Sequence, residues 1–257
     1  MLGELIADGR TSEVFRYGID GAAKVLKPST PSRWAQAEAD YTAAVRELGV
    51  PAPEVRDVID VDGRPAVVFE RIDGPSMWQR MLDHPSDAGA LTRELVEVQR
   101  SIHAAGVPDG LPSLTDRLTA KLRSSGELTT SEHDAAIELL ASLPTGGALL
   151  HGDLHPGNVL LSASGPVVID WFDATVGHRS ADVARTILLL LSSGATDLRH
   201  LPGASEALVQ RVHDAYVAEI GSSSADRVGD WCRLRAAGRL AERTDLDPSG
   251  LVALWRS

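Results

Sequence analysis

The residues best placed to do chemistry lie in one short segment, His151-Gly152-Asp153-Leu154-His155-Pro156-Gly157-Asn158, and in the acid of Val167-Val168-Ile169-Asp170-Trp171 that follows it. A carboxylate at Asp153 can orient a hydroxyl and take its proton as a new bond forms. Asn158 and Asp170 offer hard oxygen atoms, which suit magnesium bridging phosphate oxygens. Together they point to phosphoryl transfer from a nucleoside triphosphate, ATP or GTP, to a hydroxyl group. That reaction depends chiefly on positioning and on neutralising charge.

Asp and Asn also populate ordinary turns, so the order of the rest of the chain matters. Gly9, Thr11 and Ser12 sit in a turn between strands, where backbone N–H groups could approach phosphates. Lys24 lies on the next strand, within reach of the α and β phosphates. Glu38 falls on the helix after it and could pair with that lysine. Glu70 to Ile72 then occupies the place of a connecting segment whose backbone would meet the nucleotide base.

The elements that must position these groups can be read from pattern. Glu13–Tyr17 and Ala22–Leu26 flank Ile19-Asp20-Gly21, an Asp-Gly turn that makes them antiparallel neighbours. From Pro31 to Gly49, Ala35, Glu38, Ala39, Thr42, Val45 and Leu48 keep helical spacing, with Ser32 as N-cap and Gly49 closing. Pro51 and Pro53 stop that helix, and Ala66–Phe69 reads as a further strand. From Asp73 the character is helical, with Leu91, Leu95, Val98 and Ile102 on one face and Ile137, Leu140 and Ala141 on another. The chemistry-bearing loop interrupts this body and is followed by a hairpin turning at Ser164-Gly165. Val183–Leu191, apolar nearly all round, reads as a central buried helix. The expected fold is α+β and bilobal: residues 1–72 a small antiparallel sheet with one helix, residues 73–257 a larger, mainly helical lobe.

The chain has 257 residues, enough for a sizeable core, and a single cysteine, Cys232, which excludes an internal disulfide and suits a reducing cytoplasm. No signal-like segment opens it, and its densest apolar run, Ile187–Leu191, is far shorter than the roughly 18 residues of a membrane span. A formal charge of -11 argues against a nucleic-acid partner and suits a cationic acceptor.

This combination of residues resembles the aminoglycoside phosphotransferase and choline kinase-like family, the small-molecule branch of the protein-kinase-like fold. The resemblance runs from the Gly9 turn to the helix carrying Asp182 and is most specific at His151–Asn158 with Ile169-Asp170-Trp171. It implies that Asp153 is the catalytic base, that Asn158 and Asp170 bind magnesium, and that Lys24 and Glu38 form the nucleotide-side ion pair. Asp182 would brace the catalytic loop. It also implies an acceptor such as an aminoglycoside, with a role in antibiotic resistance, or alternatively a metabolic alcohol or sugar; a nucleotide-binding protein without catalysis is a further alternative. Gly9 lacks the second and third glycines of protein kinases, and the short stretch between Asp170 and Asp182 leaves no room for a long activation loop.

Other readings stand beside these. His151, Asp153 and His155 alternate as zinc ligands can, although His151 equally suits holding the loop by hydrogen bonds and His155 the same near the substrate. His103 reads as a structural histidine. Trp171 and Phe172 are core anchors or substrate platforms. Asp173 could face the substrate or cap a turn. Asp226, Asp230, Glu242, Asp245 and Asp247 could line a pocket or form a solvated helix face.

Overall fold

A computed structural model describes residues 1–191, 205–221, 227–242 and 248–257. Its first lobe is an antiparallel sheet of β1 (Leu2–Asp8), β2 (Ser12–Tyr17), β3 (Gly21–Leu26), β4 (Val55–Val61) and β5 (Arg64–Glu70), in the order β1-β2-β3-β5-β4. The helix α1 (Arg33–Glu47) packs against it, burying Ala35, Glu38, Ala39, Thr42 and Val45. Ser32 precedes α1 as expected, but its backbone is already helical and its side chain caps nothing.

The Asp-Gly turn between β2 and β3 is shifted. Gly21 pairs with Tyr17 inside the sheet, and Gly18 takes the positive φ of +62°. Asp20 is engaged elsewhere, its carboxylate accepting two bonds from Arg56 at 2.7 and 2.8 Å. The Asp-Gly pair that does turn a two-residue hairpin is Asp62-Gly63, with φ of +52° and +80° between β4 and β5.

In the second lobe α2 (Met77–Asp83), α3 (Ala88–Ala104), α4 (Leu114–Ser124) and α5 (Thr130–Ser142) precede the loop region. There β6 (Ala148–Leu150) pairs with β9 (Thr175–Gly177), and β7 (Val159–Ser162) pairs with β8 (Gly165–Val168). Then come α6 (Arg179–Leu190), α7 (Glu206–Ile220), α8 (Val228–Arg239) and α9 (Ser249–Arg256). Helix α6 is buried on nearly every side, as its apolar sequence requires. Leu95, Ile102, Leu149, Leu154, Val159, Trp171 and Val183 form one core with Val45, Val50 and Ala52 of the first lobe. The far end of α1 is thereby seated on the second lobe, and Val168 N–H donates to Pro51 O at 2.7 Å. No described helix is long and apolar enough to cross a membrane.

Candidate active site

The loop after β6 turns sharply at Gly152, whose φ is +82°. A Cβ there would lie 2.2 Å from the carbonyl oxygen of Asp173, so only glycine lets the two segments meet. Both nitrogens of His151 are used: Nε2–H donates to Ile169 O at 3.0 Å, and Nδ1 accepts from Asp153 N–H at 3.2 Å. Asp182, fully buried on α6, accepts from Gly152 N–H at 2.8 Å and from His103 Nε2–H at 2.9 Å. Burial pushes its carboxyl up, but His103 and the Gly152 bond outweigh this and hold it well below the usual carboxylate range. Thr186, one turn further along α6, donates to Leu154 O at 2.9 Å. The loop is thus hung from the buried helix by two separate bonds, one from Gly152 and one from Thr186.

Asp153 is itself held. Arg185 on α6 donates to its Oδ1 at 2.7 Å and to Gly152 O at 3.2 Å. Burial raises the Asp153 carboxyl, yet the charges of Arg185 and His155 and the Arg185 bond bring it far below its ordinary value. Arg185 was not foreseen from sequence. The available signal was a lone cation three residues after Asp182 inside an apolar helix, a position that buries charge only when a partner waits there.

Across the cleft, Lys24 Nζ lies 2.6 Å from Glu38 and 2.9 Å from Asp170. Burial would lower the lysine, but the two carboxylates win and hold its ammonium above its usual value. Burial pushes Glu38 up to about 7 against the pull of Lys24. Asp170 adopts the left-handed backbone, φ +65° and ψ +60°, uncommon for a residue with a Cβ and typical of functional sites. Asn158 donates from its amide nitrogen to Asp153 O at 3.0 Å, which leaves its side-chain oxygen as an acceptor. Two hard oxygen donors fit a magnesium ion that takes its remaining ligands from phosphates and water. Zinc is the poorer fit, because His151 has no nitrogen left to give, and His155 Nδ1 accepts from Gly157 N–H at 3.0 Å.

A cavity of about 880 Å³ opens between the lobes and brings Thr11, Lys24, Glu38, Asp153, Asp170 and Asp173 to one lining. Gly9, Ser12, Asn158, His151, His155, Asp182, Glu70 and Ile72 stand outside it. Gly9 N–H closes the β1–β2 turn on Ser12 O at 2.9 Å, and Thr11 O accepts from Lys27 N–H and the Thr30 hydroxyl, which ties the turn down. Glu70 spends its carboxylate on Glu54 N–H and Arg46.

Trp171 is wholly buried, its indole N–H donating to Val168 O at 2.9 Å, whereas Phe172 reaches the cavity and stacks on Trp34 at 4.3 Å. One ring is core and the other a wall. Asp173 faces the cavity too, with Arg117 at 3.2 Å. Of the late acids, Glu242 joins the lining and Asp230 pairs with Arg227 at 2.8 Å; Asp226, Asp245 and Asp247 lie outside the described residues.

Residues 3–219 match the model of a family described as the phosphotransferase enzyme family. Among curated proteins, the EKC/KEOPS complex subunit BUD32 of Yarrowia lipolytica is 25% identical over 197 residues, 76% of this chain and 70% of that one. A thermostable mutant of aminoglycoside phosphotransferase APH(4)-Ia superposes with a TM-score of 0.65 at 17% identity, covering 99% of this chain and 94% of its own. A choline/ethanolamine kinase family protein from Mesorhizobium loti gives 0.58 at 18%, covering 100% and 88%. The streptomycin–ATP complex of APH(2'')-IIa gives 0.60 at 16%, covering 100% and 91%. At such identities these structures share the fold.

Proposed function

This chain belongs to the phosphotransferase enzyme family, and from that premise we propose that it transfers the γ-phosphoryl group of magnesium-bound ATP, with GTP as the alternative donor, to a hydroxyl of a small molecule. The observation that carries this reading is the contact of Lys24 with Glu38 of its own lobe and, across the cleft, with Asp170, on the same cavity as Asp153. The nucleotide would occupy the cleft between residues 1–72 and 73–257, its base against the backbone of Glu70 to Ile72. Lys24 would take the phosphates, with the tied-down turn of Gly9, Thr11 and Ser12 above them.

Asp153 accepts the hydrogen bond of the acceptor hydroxyl and aims its oxygen at the γ-phosphorus. As the new O–P bond forms, the bond to the β-phosphate oxygen breaks and the hydroxyl proton passes to Asp153. Because Arg185 keeps that carboxylate strongly ionised, it is a weak base, and its larger contribution is orientation. Asn158 and Asp170 would hold magnesium, which neutralises charge on the phosphates. His151 and Asp182 keep the loop in place; Asp173, on the cavity wall, would border the acceptor, and His155 would act from behind that wall through its charge on Asp153. The lone cysteine fits a cytoplasmic enzyme.

Nucleotide consumption with magnesium across aminoglycosides, aminoalcohols, sugars and hydroxy acids tests this. Turnover that needs an acceptor and vanishes in Asp153→Ala is expected. Magnesium-dependent nucleotide binding without turnover of any acceptor would favour the non-catalytic reading instead.

A further inference from the structure

The acceptor flank of the cavity carries a distinctive balance of charge. Beyond Asp153 its wall presents two carboxylates, Asp173 and Glu242, and neither is open to an ammonium group. Asp173 meets Arg117 at 3.2 Å and Lys121 at 4.0 Å. Glu242 meets Lys121 at 2.6 Å, Arg185 at 3.7 Å and Arg239 at 3.8 Å. Burial pushes Glu242 up, but these cations draw it down to about 2, so it stands ionised and already neutralised. A ligand's cation would have to displace a built-in one and would then sit beside it.

The donors, in contrast, have capacity to spare. Arg117 directs three N–H groups at Phe172 O and Asp173, out of the five a guanidinium carries. Lys121 directs one of its three at Glu242. From the other lobe Arg33, exposed at the start of α1, faces the same cavity, and its side chain makes no hydrogen bond or ion pair among the described residues. Arginine meets carboxylate and phosphate through paired, parallel bonds, while lysine adds a compact point charge.

Resting on the phosphotransferase reading, we infer that the acceptor is a hydroxyl compound carrying an anionic group, a carboxylate or a phosphate, held by Arg117 and Lys121 with Arg33 at the mouth, and not a polycation such as an aminoglycoside. The net acidity of the chain gives the opposite expectation. Charge summed over a surface governs solubility and long-range approach, whereas the acceptor meets only the few side chains within a Debye length of about 8 Å.

The test uses the full chain with magnesium and a non-hydrolysable ATP analogue bound, and three probes on one sugar frame: glucose, glucosamine and glucuronate, with glucose 6-phosphate to separate carboxylate from phosphate. An anionic probe should bind about tenfold or more tightly than glucosamine, and raising salt should erode the preference. Arg117→Gln and Lys121→Gln should each abolish most of it while keeping nucleotide affinity, which also shows that they fold. Glucosamine binding tightest, or no preference among the probes, overturns the inference while leaving nucleotide binding intact. Absence of magnesium-dependent binding of the analogue would instead overturn the underlying reading, and this inference with it.

Discussion

The two flanks of the cleft use the same kinds of charged side chain and settle their charges differently. On the flank proposed for the nucleotide a single ammonium, Lys24, is shared by Glu38 and Asp170, and the Asp170 side chain is 41% exposed. On the flank proposed for the acceptor Asp153, Asp173 and Glu242 are bound into a network with Arg117, Lys121, Arg185 and Arg239, and the Arg185 side chain is only 6% exposed. The first is a triad with one open carboxylate, which a triphosphate and its metal would meet on the proposed reading. The second has its carboxylates paired before any ligand arrives and keeps spare donors, which is what pre-organised positioning requires.

The sharpest way to break this division is to cut each flank once. Asp153→Asn should lower kcat by about 10³-fold, within the usual range for a positioned acid or base, and leave nucleotide affinity within about twofold. Lys24→Ala should do the reverse in character, raising the KM for nucleotide most. Equal loss of nucleotide binding in both variants would mean the flanks are one site.

Arg185 comes next. Arg185→Ala should reduce kcat by about 10²-fold, since Asp153 then loses the bond that aims it. It should also move the acid limb of the kcat profile to higher pH: with that cation gone, burial raises the Asp153 carboxyl against only the remaining charges of His155 and Arg239. Arg185→Lys should recover part of the rate and return the limb toward its original place. A variant that loses stability alone, with the limb unmoved, would show that Arg185 supports the fold and not the base.

The contrast between flanks also governed what could be read in advance. Lys24, Glu38, Asp153, Asn158 and Asp170 follow one another in a fixed order along the chain, and the helix, the hairpins and the turn that carry them have their own local signals. The acceptor network joins Arg117 on α4, Arg185 on α6 and Glu242 beyond α8, and no local pattern relates side chains so far apart. Arg117 and Lys121 lie on an amphipathic helix where cations ordinarily meet solvent. Strands β1 and β4 are hard to read in the sequence for a related reason. Leu2–Asp8 is almost wholly exposed, and Val55–Val61 is broken by Arg56, Asp57 and Asp60, so neither shows a clean alternation. Sheet pairing with β2 and β5 makes them strands, and pairing is not written in either segment alone.

The smallest expected effect is on stability, and the two flanks should show it with opposite sign. Glu242 falls to about 2 in the folded chain from an ordinary 4.5, so its contribution is complete above about pH 4.5 and is lost as pH falls toward 2. Glu38 rises to about 7, so its contribution is present below about pH 4.5 and is lost as pH climbs through 7. Melting curves of Glu242→Gln and Glu38→Gln between pH 3 and 8 compare the two directly, at roughly 2–4 °C per kcal/mol for a chain of this size. The wild-type advantage over Glu242→Gln should shrink on acidification from about pH 4.5, because the carboxylate that distinguishes the two is being protonated. The advantage over Glu38→Gln should shrink in the other direction, between about pH 4.5 and 7, as the buried carboxylate is forced to ionise. Parallel curves for the two variants would mean that Glu38 is as firmly ionised as Glu242, and that the nucleotide flank is no looser than the acceptor flank.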